Sequence, residues 1–244
     1  MKITIDKKLF EKFPGLHIGI LFVKGIDNHG DEKKILRLME EVEEMIRFEF
    51  TPESLINGSS RNAKPKHKLI SAWNTAYEDL GFAPQHYQSN LEGMMADILN
   101  SKSIPRENKL VDCFRYSALK NIVPITGYDY GIISGNILLG FANGSESFTT
   151  KAGVEYPDKG EVIYRDDKGV ISRKWNLQES ERVKITGETK NALIFIDGLP
   201  PISKNNVIRI LNDMKELIGM FCGGMCSQYV LSVLNNKIEN ITSK

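Results

Sequence analysis

Catalysis without a metal needs a side chain that moves protons, a donor that holds developing negative charge, and a surface that grips the substrate. Glu161 follows Gly160 where a strand is expected to begin, and is the first candidate for a polar, catalytic carboxylate; a surface glutamate on an edge strand is the plainer alternative. Asp112 follows the apolar pair Leu110-Val111 and can order a water or a loop; a helix cap or a structural ion pair explains it equally well. Tyr128 and Asp129 stand beside Gly127, where a backbone without a side chain lets a ligand approach. The same residues also suit a turn in which Asp129 bonds its own backbone. Arg173 and Trp175 alternate with Lys174 on a predicted strand, so both are expected on one face. There an arginine grips phosphate or carboxylate and a tryptophan stacks on a base, or else the tryptophan is core and the arginine covers it. Arg61, Lys64, Lys66 and Lys68 form the densest basic run, suited to a nucleic-acid backbone or to simple solvation.

Other chemistries have no foothold. The chain lacks the G-x-x-x-x-G-K-[ST] phosphate loop, the G-x-G-x-x-G fingerprint and the H-E-x-x-H zinc motif. Gly131-Ile132-Ile133-Ser134-Gly135 has the wrong spacing for a nucleophile elbow. Cys222 and Cys226 are expected on one helical stripe as small core residues, because two thiols alone make a poor metal site. The four histidines are scattered and share no ligand spacing. Neither a metal nor a cofactor is expected.

These groups must be held by regular elements. HIGILFVKGI (17–26) reads as a buried strand. Ile35, Leu38, Met39, Val42, Met45 and Ile46 recur at helical spacing, with Asp31 as N-cap. A second helix carries Ile70, Trp73, Tyr77 and Leu80 and stops at Gly81. Ser89-x-x-Glu92 has capping-box spacing and starts a third, running to about Asn100. LVDCFRYSALK (110–120) is a short fourth. From Ile122 the texture changes to short β segments, with a hairpin turning at Asp166-Asp167-Lys168-Gly169. A stripe from Val207 to Phe221 predicts a helix that closes the chain. The sum is one α+β domain over 1–244, a mixed or antiparallel sheet flanked by helices, with no linker dividing it.

Composition sets the bounds. Hydrophobic residues are 41% and charged residues 26%, ordinary for a globular chain, and the net charge of +1 leaves any nucleic-acid contact to a local patch. No apolar run spans a bilayer, and no membrane or DNA partner is expected. Three cysteines without framework spacing fit a reducing compartment, hence the cytoplasm.

Residues 70–190 carry a family resemblance. SAWNTAYEDLG (71–81) is similar to a Trp-x-x-x-Tyr-x-x-x-Gly segment of the B3/4 domain, the tRNA-editing module of the phenylalanyl-tRNA synthetase beta subunit. IPRENKLVDCFRYSALKNIVPITGYDYGIISG (104–135) resembles the same module's "lPxxNxLVDxxNxxSLxxxxPxGxYDxxxxxG" pattern. KGEVIYRDDKGVISRKWN (159–176) is similar to the "KGExVYxDxxGVxxRxWN" of its free-standing forms, with KITGETKNALIF behind it. The resemblance implies a B3/4-like core over about 70–200, with an N-terminal strand and helix and a C-terminal helix packed on it. It implies a partner, the aminoacylated end of a tRNA held by the basic run, and an activity, hydrolysis of a misacylated ester in trans, with tyrosyl-tRNA(Phe) the first candidate. A non-catalytic RNA- or nucleotide-binding module is the alternative. No ATP site or ligase motif accompanies it. The chain departs from the synthetase pattern where that pattern has a histidine (Gly127 here), an asparagine (Arg115 here) and a glutamate (near Phe195 here).

Overall fold

A computed structural model describes residues 1–30, 32–50, 67–82 and 89–241. Arg61, Lys64, Lys66 and the expected cap Asp31 lie outside these residues.

The central layer is a four-stranded antiparallel sheet. Its order is β11 (Met225–Leu231), β2 (His17–Lys24), β10 (Asn191–Gly198), β3 (Ile125–Asp129). β2 and β10 are apolar along nearly their whole length because both faces are covered. Leu21, Val23, Ala192, Ile194 and Ile196 join one core, while Ile18, Ile20, Phe22, Leu193 and Phe195 join another. Strand alternation forces this division. On the first face lie α2 (Lys33–Phe50), α4 (Asn90–Leu99), α5 (Lys109–Asn121) and α6 (Lys204–Phe221). Gly19 lets α6 approach, since a Cβ there would stand 2.6 Å from Val207 Cγ1. The second face meets α1 (Lys7–Lys12), α3 (Lys68–Asp79) and a mixed second sheet.

That sheet runs β12 (Lys237–Ile238), β1 (Ile3–Ile5), β4 (Ile137–Phe141), β7 (Val162–Arg165), β8 (Val170–Arg173), β5 (Phe148–Thr150), β6 (Gly153–Glu155), with β9 (Gln178–Glu179) added to β8. β1–β4 and β5–β8 are parallel and the remaining pairs antiparallel. The expected α+β class with a mixed sheet and flanking helices is what the chain adopts.

The expected helix start at Ser89 is present, its hydroxyl accepting from the Glu92 amide at 3.1 Å; Asn108, not singled out from the sequence, caps α5 by accepting from Val111. Two expectations are corrected. The last helix does not close the chain, because Gly223 and Gly224 take positive φ and turn it into β11. Cys222 is therefore the helix cap and Cys226 a strand residue, not neighbours on one helical face. The strand carrying Arg173 ends there, and Lys174, Trp175 and Asn176 form a left-handed turn with φ of 49°, 44° and 71°. Arg173 and Trp175 consequently do not share a strand face.

Candidate functional site: a cleft at the free edge of β3

β3 ends the four-stranded sheet, and its outer side pairs with no strand among the described residues. Tyr130 N–H donates to Asn191 O and Asp197 N–H to Pro124 O. In an antiparallel ladder this assigns the even residues 124–130 to β10, and turns the N–H and C=O of Ile125, Gly127 and Asp129 to the open edge. A cleft of about 330 Å³ lies against that edge, within the size range of small-ligand sites. Its apolar wall is Ile104, Val111, Phe114, Ile125 and Ile185, all continuous with the helix-side core. Its polar wall is Glu107, Arg115, Glu179 and Lys184.

Gly127 is there for space. A Cβ would stand 2.9 Å from both Phe114 Cε1 and Ile185 Cδ1, so a side chain here has to displace an aromatic ring. The synthetase pattern places its histidine at this position, and this chain has filled that volume with Phe114 instead. The synthetase glutamate falls near Phe195, which points to the opposite face, between Tyr128 and Tyr164 at ring-centroid distances of 5.7 and 5.0 Å.

Glu179 is the cleft's distinctive group. Burial pushes its carboxyl up to about 7, against the pull of Arg115 and Lys184 and helped by Glu107. Both cations are committed elsewhere. Arg115 donates to Glu107 Oε2 at 2.6 Å and to Pro105 O at 2.8 Å, and Lys184 donates to Glu181 Oε1 at 2.7 Å. Among the described residues, no side chain or amide hydrogen-bonds the Glu179 carboxylate. The segment that carries it is fixed on three sides. β9 pairs Glu179 with Ser172; Trp175 is inserted between Trp73 and Phe13, with centroids 5.0 and 5.1 Å away; Arg182 makes a two-pronged pair with buried Asp166 at 3.0 and 2.8 Å.

Of the candidate site residues that are described, Gly127 alone lines this cleft. Glu161 is 3% exposed and saturated: Arg173 donates to its two oxygens at 2.9 and 2.8 Å, and the amides of Lys174 and Asp158 donate at 2.8 and 3.2 Å. Hydrogen bonding to Glu161 holds the Arg173 guanidinium above even its ordinary basic range. Asp112 is paired with Arg106 at 3.0 Å, while burial raises its carboxyl. Asp129 accepts from Thr189 Oγ1 at 2.6 Å and from its own turn at Gly131 N at 2.8 Å. Tyr128 is fully buried with its hydroxyl donating to Thr126, and Trp175 is core. Lys68 is exposed at the start of α3, outside the cleft lining. The structure therefore does not gather Glu161, Asp112 and Asp129 into one site.

Sequence reasoning missed Glu179, Lys184, Glu107 and Phe114. One signal was available: Arg115 and Gly127 both depart from the synthetase pattern, and both line the cleft.

A three-layer α+β domain with a polar cleft on a free sheet edge is the class that fold and site define. The model of the B3/4 domain matches residues 72–223, and the chain belongs to that family. A protein of Bacillus subtilis (strain 168), described as uncharacterized protein YhzB, is 19% identical over 224 residues, covering 92% of this chain and 96% of its own. Among solved structures, an N-terminal fragment of the phenylalanyl-tRNA synthetase beta subunit from Pyrococcus horikoshii is similar over 92% of this chain, at 17% identity and a TM-score of 0.46. The chain spans about half of that fragment, 49%.

Proposed function

We propose that this chain is a hydrolase of aminoacyl-tRNA esters, with Glu179 as its general base. One observation carries the reading: a carboxylate with no hydrogen-bond partner among the described residues, held by burial at about 7, lines the same cleft as the Gly127 backbone edge in a B3/4 domain. A base of this strength suits proton transfer at physiological pH. The ester's amino-acid side chain lies along Phe114, Ile125 and Ile185. Glu179 takes a proton from a water as the water oxygen bonds the ester carbonyl carbon. The carbonyl oxygen, now negative, accepts from the Gly127 amide, an oxyanion donor that is already oriented. Collapse breaks the bond to the ribose oxygen, which leaves with the proton that Glu179 returns. The motifs shared with the synthetase beta-subunit module support an aminoacyl-tRNA substrate, and tyrosyl-tRNA(Phe) heads the order of trial.

The test is a deacylation assay over a panel of mischarged tRNAs. Turnover of at least one, abolished by Glu179→Gln with the fold intact, is expected. Turnover indifferent to Glu179 would overturn the mechanism. Saturable tRNA binding without turnover of any ester would make the domain a binding module instead.

A further inference from the structure

The four-stranded sheet has a second outer edge, at β11, on the side away from the cleft, and among the described residues no strand pairs with it. The hydrogen bond from Asp197 to Pro124 turns the odd residues of β10 toward β3 and its even ones toward β2. Carried through the registers Ile194↔Leu21 and Ile20↔Tyr229, the same alternation turns Tyr229 and its odd neighbours toward β2. The N–H and C=O of Cys226, Gln228 and Val230 therefore point outward, and no described residue bonds them. The Gln228 side chain does not take up this edge: it turns to α6, its Nε2 donating to Asn212 Oδ1 at 2.9 Å.

An open edge invites pairing with another chain, and proteins guard such edges by short length, charge or proline. The outer edges of the second sheet are guarded in this way. β12 has two residues, one of them Lys237, and β6 has three, one of them Glu155. β11 has seven, Met-Cys-Ser-Gln-Tyr-Val-Leu, with neither a charge nor a proline. Large apolar side chains are exposed at both its ends: Met220 and Met225 where it begins, Val233 and Leu234 (95% exposed) where it leaves. Such an edge complements itself. Run antiparallel about a two-fold axis, it sets no like charges opposite each other and closes, leaving no free edge at the join.

We infer that β11 is the contact surface for a second copy of this chain, in a two-fold dimer whose four-stranded sheets join edge to edge. Pairing about Gln228 matches its outward N–H and C=O with those of its counterpart, and Cys226 of each copy with Val230 of the other. It carries Val233 and Leu234 of one copy past Leu231 toward Met225 of the other. The β3 edges are left at the far ends of the joined sheet, about 34 Å apart by strand spacing, so both clefts stay open. The contact is independent of the hydrolase reading.

Sedimentation velocity of the wild-type chain at tens of micromolar is expected to show a dimer and nothing larger. Hydrogen exchange read by mass spectrometry should show protection of the amides of 225–231 that rises with protein concentration. Gln228→Pro removes a donor that the chain's own ladder does not use, a placement an edge strand tolerates. Both copies lose it at the centre of the contact, so the dissociation constant should rise about tenfold or more. Leu234→Asp, at an exposed turn, should raise it independently. A chain that stays monomeric, higher assemblies in place of the dimer, or a dimer that neither variant weakens and whose 225–231 amides gain no protection, overturns the inference.

Discussion

Two glutamates, eighteen residues apart in sequence, do opposite jobs in this domain. Glu161 belongs to the best-matched motif and has every lone pair engaged, by one guanidinium and two amides. Glu179 lies just past the motif, bonds to nothing among the described residues, and faces a cleft. A carboxylate whose oxygens are all occupied by fixed donors has no capacity left for a substrate proton. A partly buried one without donors keeps its proton affinity high and its lone pairs available. Where a carboxylate's charge is spent thus says more about its role than its presence in a motif.

The contrast can be broken most forcefully at Glu161. Glu161→Ala leaves Arg173 short of its main counter-charge in a buried position, and should cost about 3 kcal/mol of unfolding free energy in denaturant titration. Any folded fraction should keep its rate per molecule; a selective loss of turnover without loss of stability would put Glu161 back in the chemistry. Next comes Glu179→Gln, expected to lower deacylation on the order of 10²-fold while the denaturation midpoint holds. Wild-type rates should climb as pH rises toward and past about 7, where Glu179 ionises, and the variant's profile should lose that limb. Gly127→Ala places a methyl group 2.9 Å from Phe114 and Ile185, and should reduce kcat/KM by about tenfold through loss of cleft volume. Pairing it with Phe114→Ala should restore part of that loss.

The smallest effect is on stability against pH. The Glu179 carboxyl is held above its ordinary 4.5, up to about 7, so the native state binds this proton more tightly than the unfolded chain does. Its contribution to stability is present below 4.5 and is lost as pH rises through about 7. Glu179→Gln should therefore melt slightly higher than wild type at pH 8 and show no such gain at pH 4. Thermal melts at the two pH values check the sign.

Much of the fold could be read in advance, and for definite reasons. Ser89 and the apolar stripes of α2, α3 and α6 signal helices through capping and 3.6-residue spacing. The continuous apolar run of β2 announced a strand covered on both sides. What escaped was decided by tertiary contacts. No residue rule reads Lys174-Trp175-Asn176 as a left-handed turn, because none is a glycine; burial of the Trp175 ring imposes it. β11 was absorbed into the preceding helix because Phe221 and Cys222 continue the apolar stripe up to the glycine pair. The site was harder still. A site is marked by which polar groups lack partners, and that is known only once every donor has been placed.

The indole of Trp175 pins to the aromatic core the same short loop that carries Asn176 and leads to Glu179. This wall of the cleft therefore cannot swing on its own. Whatever opening admits a bulky ester must come from the opposing side, where α4 contributes Asn90 and Met94. The domain is in this sense a vice with one fixed jaw.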